Sequence, residues 1–173
     1  MGGIAGFGKN SALTHCTSAA TVYGGDDVGG VIGLAHNTDL TGCSFAPGLV
    51  LGRDSVGGII GRQQNGCGRI VDCRAVGALD ADSQLETLFA QLAASPSGFE
   101  AYTTSAHPGE TGVIGRDGVG GIVGSNQGEV LGFQTRTQVR GRGDVGGAVG
   151  VNAASGKLSW AGRDHTADGV VVA

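Results

Sequence analysis

Three aspartates, Asp26, Asp54 and Asp117, occupy equivalent places in a repeated phrase. Carboxylates stacked at one corner would offer the several hard oxygen ligands that calcium takes. The nine-residue glycine–aspartate pattern of calcium-binding β-rolls is missing, and Arg53 and Arg116 beside two of the acids oppose a cation. Aspartate next to glycine ordinarily hydrogen-bonds its own turn backbone. A structural turn role is therefore expected, with calcium as the alternative. Cys16, Cys43 and Cys73 share a second repeat position, which Phe133 and Trp160 continue. These five are expected to stack as an internal core ladder. Neighbouring parallel strands lie about 4.8 Å apart, so the cysteines suit either a disulfide staple or buried thiols. Cys67 is out of register. There is no C-x-x-C, and cysteine with histidine shows no zinc spacing, so no metal is expected.

Groups that would support catalysis are scattered. His15, His36, His107 and His165 share no repeat phase, and neither G-x-S-x-G nor H-E-x-x-H occurs. A polysaccharide-cleaving β-helix would need acids on one face; Asp39, Asp72 and Glu129 are the candidates, and the sequence does not show that they converge. Gly141 to Gly146 match G-x-G-x-x-G, but Gly147-Ala148-Val149-Gly150 follow as another repeat strand. A dinucleotide site needs a helix there and an acid about 20 residues on. Arg142-Gly143-Asp144 spells RGD; two other copies carry G-R-D at that corner, so it reads as drift within a turn. The expectation is a chain that is not an enzyme and carries no cofactor.

The elements that would position these residues come from a glycine-centred repeat. GGIAG at Gly2, DVGGVIG at Asp27, SVGGIIG at Ser55, GVGGIVG at Gly118 and DVGGAVG at Asp144 place glycine pairs at 2, 29, 57, 120 and 146. The intervals are 27, 28, 63 and 26, which is a repeat of 26 to 28 residues with one copy enlarged. Such a unit buries its apolar face only against a neighbour, so the period predicts a stacked β-solenoid. V-x-G-x-D or a variant precedes each later pair, from Val22, Val50, Val113 and Val139. Polar stretches such as GKNS, AHNTD, QQNG, SNQGE and NAASG read as turns. Each unit is expected to run strand, polar turn, strand, glycine turn, and the first unit lacks its opening V-x-G-x-D.

Composition supports that reading. Glycine supplies 36 of 173 residues and proline only 3, without the strict triplet period and abundant proline of collagen. The hydrophobic share is 40% but aromatics are 5%, so the core must be built from small aliphatics and cysteine. The net charge is −4 with both signs dispersed, which gives no basic face for nucleic acid. No apolar run is long enough for a membrane helix. The N-terminal MGGIAGFGKN is neither a signal nor a transit peptide.

Residues 80–111 interrupt the third unit of what otherwise reads as one domain over 1–173. Leu85, Leu88, Phe89 and Leu92 fall at i, i+3, i+4 and i+7, and Ser83 with Glu86 fits a capping box, which predicts a helix ended by Pro96 and Gly98. The helix is expected to cover a flank of the stack. The loop at 96–111 carries Phe99, Tyr102 and His107, the first candidates for ligand contact, because insertions on repeat scaffolds cluster on binding faces.

The unit V-x-G-x-D-x-V-G-G-[IVA]-[IV]-G, a polar turn, then a soft apolar residue, resembles the GLUG repeat of large bacterial surface proteins. Val50–Cys73 and Val113–Phe133 are the best copies, and the likeness covers the chain apart from 80–111. The resemblance implies a parallel β-solenoid on an extracellular or cell-surface protein and carries no catalytic residues across. It implies an adhesive or structural module that meets a host or matrix glycan or protein. Apolar, strand-prone segments at both chain ends (GGIAGFG and GVVVA) add an alternative, self-assembly into a filament, since uncapped strand edges invite further copies. A polysaccharide-active β-helix enzyme is the remaining alternative.

Overall fold

The structure, a computed structural model, describes residues 1–64, 68–77, 111–159, 165–167 and 171–172. The expected helix, the inserted residues 80–110 with Phe99, Tyr102 and His107, and also Cys67 and Trp160 lie outside the described residues. The described elements are all strands. In the first unit they are β1 (Ala5–Thr14) and β2 (Thr17–Ser18). The second holds β3 (Val22–Tyr23), β4 (Val28–Gly29), β5 (Ile32–Thr41) and β6 (Ser44–Phe45). The third holds β7 (Leu49–Leu51), β8 (Asp54–Gly57), β9 (Ile60–Gln64) and β10 (Arg69–Val76). The fourth holds β11 (Gly112–Ile114), β12 (Asp117–Gly120), β13 (Val123–Asn126) and β14 (Glu129–Arg136). The last strands are β15 (Val139–Arg140), β16 (Gly143–Gly146), β17 (Val149–Asn152), β18 (Lys157–Ser159), β19 (His165–Ala167) and β20 (Val171–Val172).

Successive units lie parallel, so the fold is all-β with three parallel sheets. One sheet runs β20-β15-β11-β7-β3, a second β16-β12-β8-β4, and the largest has β17-β13-β9-β5-β10-β14-β18 as its main path. Each unit visits the sheets in the same order, and repeat position meets repeat position. Val28, Val56, Val119 and Val145 form one column. Ile32, Ile60, Val123 and Val149 form another. Val22, Val50, Val113, Val139 and Val171 form a third. Members of all three columns meet in one core cluster, whose central residues are fully buried. Each such aliphatic side chain taken from water contributes roughly 1.5–3 kcal/mol. The stacking resumes in register after the insertion at 80–111: Gly112 N–H donates to Gly48 O at 2.9 Å, and Val113 lies beside Val50.

Glycine recurs because backbone fills the space a side chain would take. A Cβ on Gly57 would overlap the Ile60 carbonyl oxygen and lie 2.8 Å from Gly124 N. A Cβ on Gly124 would lie 2.5 Å from the Ser55 carbonyl carbon and 2.6 Å from Gly61 O. The G-G-x-x-G spacing therefore marks where two layers of backbone touch.

The polar corners depart from the expected pattern. GKNS lies inside β1 and AHNTD inside β5, and the chain bends there at single left-handed residues, Asn10 (φ 49°) and Asn37 (φ 48°). One such residue redirects a strand without breaking its pairing to the next unit, and asparagine tolerates this conformation better than most residues. Asn37 Nδ2 donates to Asn10 Oδ1 at 2.9 Å, which ties the two corners together. A second left-handed column runs His15, Gly42, Asp72, Gly132 and directly precedes Cys16, Cys43, Cys73 and Phe133. In the third unit Gln63 faces Asn126 while Ile70 faces Val130, so the third unit is longer than the fourth between these two positions.

Candidate functional site

The stacking brings charged side chains into two columns on the outside. Asp54 pairs in register with Asp117, and Asp26 occupies the same place one unit earlier. All three carboxylates are bonded by arginines, and none accepts from its own turn backbone. Arg53 donates twice to Asp26, at 3.0 and 2.7 Å, and lies 3.4 Å from Asp54. Arg116 donates to both Asp54 oxygens at 2.9 and 2.8 Å and to Asp117 at 2.9 Å. The carboxylates raise the Arg53 and Arg116 guanidinium pKa values above the ordinary one, Asp26 acting most on the first and Asp117 on the second. Both arginines are half-exposed, so water and salt screen these pairs.

This geometry answers the calcium alternative by chemistry: the oxygens a cation would need already accept from guanidinium groups. Among the described residues, no group of three or more His, Cys, Asp or Glu is arranged to hold a metal ion. Addition of about 5 mM calcium, ample for weak extracellular sites, is expected to leave the melting temperature unchanged. A rise of several degrees in calorimetry, abolished by chelator, would contradict the arginine ladder.

The second column reads Asp39, Arg69, Glu129, Lys157. Arg69 N–H donates to Asp39 Oδ1 at 2.8 Å, its guanidinium lies 3.3 Å from Glu129, and Glu129 pairs in register with Lys157. Arg69 thus separates the two acids on which a glycan-cleaving site would depend. The third, Asp72 (φ 50°), belongs to the left-handed column.

Arg142 and Asp144 break the pattern. Gly143 stands where Asp54 and Asp117 stand, and both Arg142 and Asp144 are exposed. Neither makes an ion pair among the described residues.

The polar side chains between units also form ladders. Ser11 and Thr38 hydroxyls lie 3.3 Å apart, Thr17 and Ser44 2.9 Å. Asn126, fully buried, donates to Asn152 at 2.8 Å and accepts from Gly128 N–H at 3.0 Å, and Gln63 donates to Gly68 O at 2.6 Å. No single element of the sequence shows these contacts; aligning the repeats by their glycines would reveal most of them.

Cys43 and Cys73 are buried, Cys16 is half-buried, and all three thiols are free. Cys73 pairs with Phe133. The in-register partner of Phe133 on the next unit is His165, where the constant spacing points to Trp160.

One carboxylate is perturbed by burial. Asp27 (φ 54°) packs beneath the first unit, 2.9 Å from the Arg62 guanidinium, and its carbonyl accepts from the N-terminal ammonium at 2.7 Å. Desolvation pushes its carboxyl above the usual range; Arg62 and the ammonium pull it down, and Asp26 pushes it up. The folded chain holds this proton to higher pH than the unfolded chain. Its contribution to stability is therefore full below the ordinary aspartate value of about 3.9 and is lost as pH rises through the raised folded value. Asp27→Asn, which keeps a residue suited to the left-handed corner, is expected to flatten the stability–pH curve above pH 4. Denaturant melts across pH 3.5–7 check this, and an unchanged slope would contradict it.

Comparison with protein-family models, with curated proteins and with solved structures found nothing that matches this chain.

Proposed function

We propose that the chain is a β-solenoid of the GLUG-repeat type and serves as a non-enzymatic structural or adhesive module of a bacterial cell-surface or secreted protein. The observation that carries this reading is the in-register stacking of equivalent positions, with the valine and isoleucine columns inside and the paired-charge and asparagine columns outside. A stack of this kind is stiff along its axis and presents a flat, repeating polar surface. The insertion at 80–111 carries Phe99, Tyr102 and His107, which would meet a host or matrix glycan or protein. The test is binding of the full chain to immobilised glycans and matrix proteins, beside a variant lacking residues 96–111. Binding that the deletion removes supports the reading. Release of reducing ends from a polysaccharide by the full chain would overturn it in favour of a carbohydrate-active enzyme.

A second reading, self-assembly, rests on where apolar side chains are exposed. Among the described residues, the large exposed hydrophobics are Met1, Ile4, Phe7 and Leu158, which lie in the first and last units. Light scattering over a concentration series tests it: filaments that lengthen with concentration favour this reading, and a monomer throughout removes it.

A further inference from the structure

Cys16, Cys43 and Cys73 stand at one position of three consecutive units. Thr14 and Thr17 pair with Thr41 and Ser44, which sets Cys16 beside Cys43. Val71 and Arg74 pair with the same Thr41 and Ser44, which sets Cys73 on the other side. Neighbouring Cα atoms in such a register lie about 4.8 Å apart, within the 4.4–6.8 Å that disulfides span. The thiols point across the units. Cys43 S–H donates to Leu13 O at 3.5 Å, and Cys73 S–H to Leu40 O at 3.8 Å.

The three sulfurs differ in access. Cys73 is fully buried, and its Cys43 neighbour and its burial both push its thiol up, so it stays protonated. Cys43 is buried, yet its Cys73 neighbour above all, and Cys16 beside it, draw its thiol down to about 6 against the effect of burial. Cys16 is half-buried at the outer end of the row, the one sulfur a solute reaches.

We propose that Cys16 and Cys43 form a reversible disulfide staple between the first and second units, made by exchange with a small-molecule disulfide. The Cys16 thiolate attacks glutathione disulfide; one glutathione leaves as a thiol and the other remains on Cys16 as a mixed disulfide. The Cys43 thiolate attacks the Cys16 sulfur, and the second glutathione leaves as a thiol. Two protein thiols are oxidised and one glutathione disulfide is reduced, with two protons passing to the two departing glutathiones. Cys73 stays reduced behind the new bond. The closed loop from 16 to 43 restricts the unfolded chain, so the staple raises the melting temperature.

The test uses the full chain and its Cys67→Ser variant, incubated with glutathione disulfide and then alkylated. Peptide mapping without reduction is expected to show a Cys16–Cys43 linked pair and the loss of two alkylatable thiols. The melting temperature is expected to rise by about 5 °C or more, and dithiothreitol to reverse it. Cys16→Ser, at a half-exposed site, should fold with an unchanged circular dichroism spectrum and show neither the pair nor the rise. Glutathione retained on Cys16, a linkage through Cys67 or between chains, or two thiols that never disappear would each overturn the proposal.

Discussion

Gly57→Ala is expected to abolish cooperative folding. The added methyl would overlap the Ile60 carbonyl oxygen, and it would meet Gly124 N and Ile122 O at 2.8 Å. All three are backbone atoms held by parallel pairing, Gly57 itself to Gly29 and Gly120. No rotamer relieves the overlap, so β8 or β13 must leave its sheet, and the loss should exceed about 4 kcal/mol, the range reserved for disrupted backbone or core. Gly25→Ala is the control: nothing lies within 4 Å of its Cβ position, so it should melt as the parent does. Circular dichroism melts of the two variants check the pair of outcomes. A folded Gly57→Ala chain would show that the two strands are not packed backbone to backbone.

Phe45→Ala is the second large effect. Phe45 is the largest fully buried side chain in the described core. Its ring occupies space that two glycines leave: a Cβ on Gly30 would lie 2.6 Å from its Cγ, and one on Gly48 2.7 Å from its Cζ. Its strand neighbours Ser18 and Ala75 are too short to close the hole. The truncation should cost about 3–5 kcal/mol, or roughly 6–20 °C in melting temperature for a chain of this size. Phe45→Leu, which keeps most of the volume, should recover more than half of that. Equal losses in both variants would mean that the ring is not packed against those glycines.

Some of this was legible in the residues. The glycine pairs gave the unit length because each marks a place where backbone excludes a Cβ, and that constraint recurs once per unit. The valine and isoleucine columns followed from the same spacing. The corners at Asn10 and Asn37 were harder to read: a polar stretch suggests a multi-residue turn, yet one left-handed residue bends the strand and keeps its partners. Asp26, Asp54 and Asp117 suggest turn residues because aspartate beside glycine commonly bonds its own turn. Arg116 bonds its own neighbour Asp117, but Arg53 reaches Asp26 and Arg116 reaches Asp54 from the next unit, a relation visible only when the units are laid over one another. The thiol row ends differently from its spacing: a constant offset points to Trp160, whereas Leu131 pairs with Ser159 and Phe133 with His165, so the last unit has more residues between these two positions than the one before it. The aromatic pair Phe99 and Tyr102 and the histidine His107 depend on a segment outside the described residues, so their part in the proposed function rests on sequence alone.

The central claim is that equivalent positions of successive units lie side by side, even across the insertion at 80–111. Nuclear Overhauser contacts in isotopically labelled protein test it most directly. Backbone contacts between Val56 and Val119, between Val50 and Val113, and between Cys73 and Phe133 are the expected result, since these pairs are parallel neighbours. Absence of those contacts, or antiparallel contacts between strands adjacent in sequence such as β7 with β8, would contradict the account.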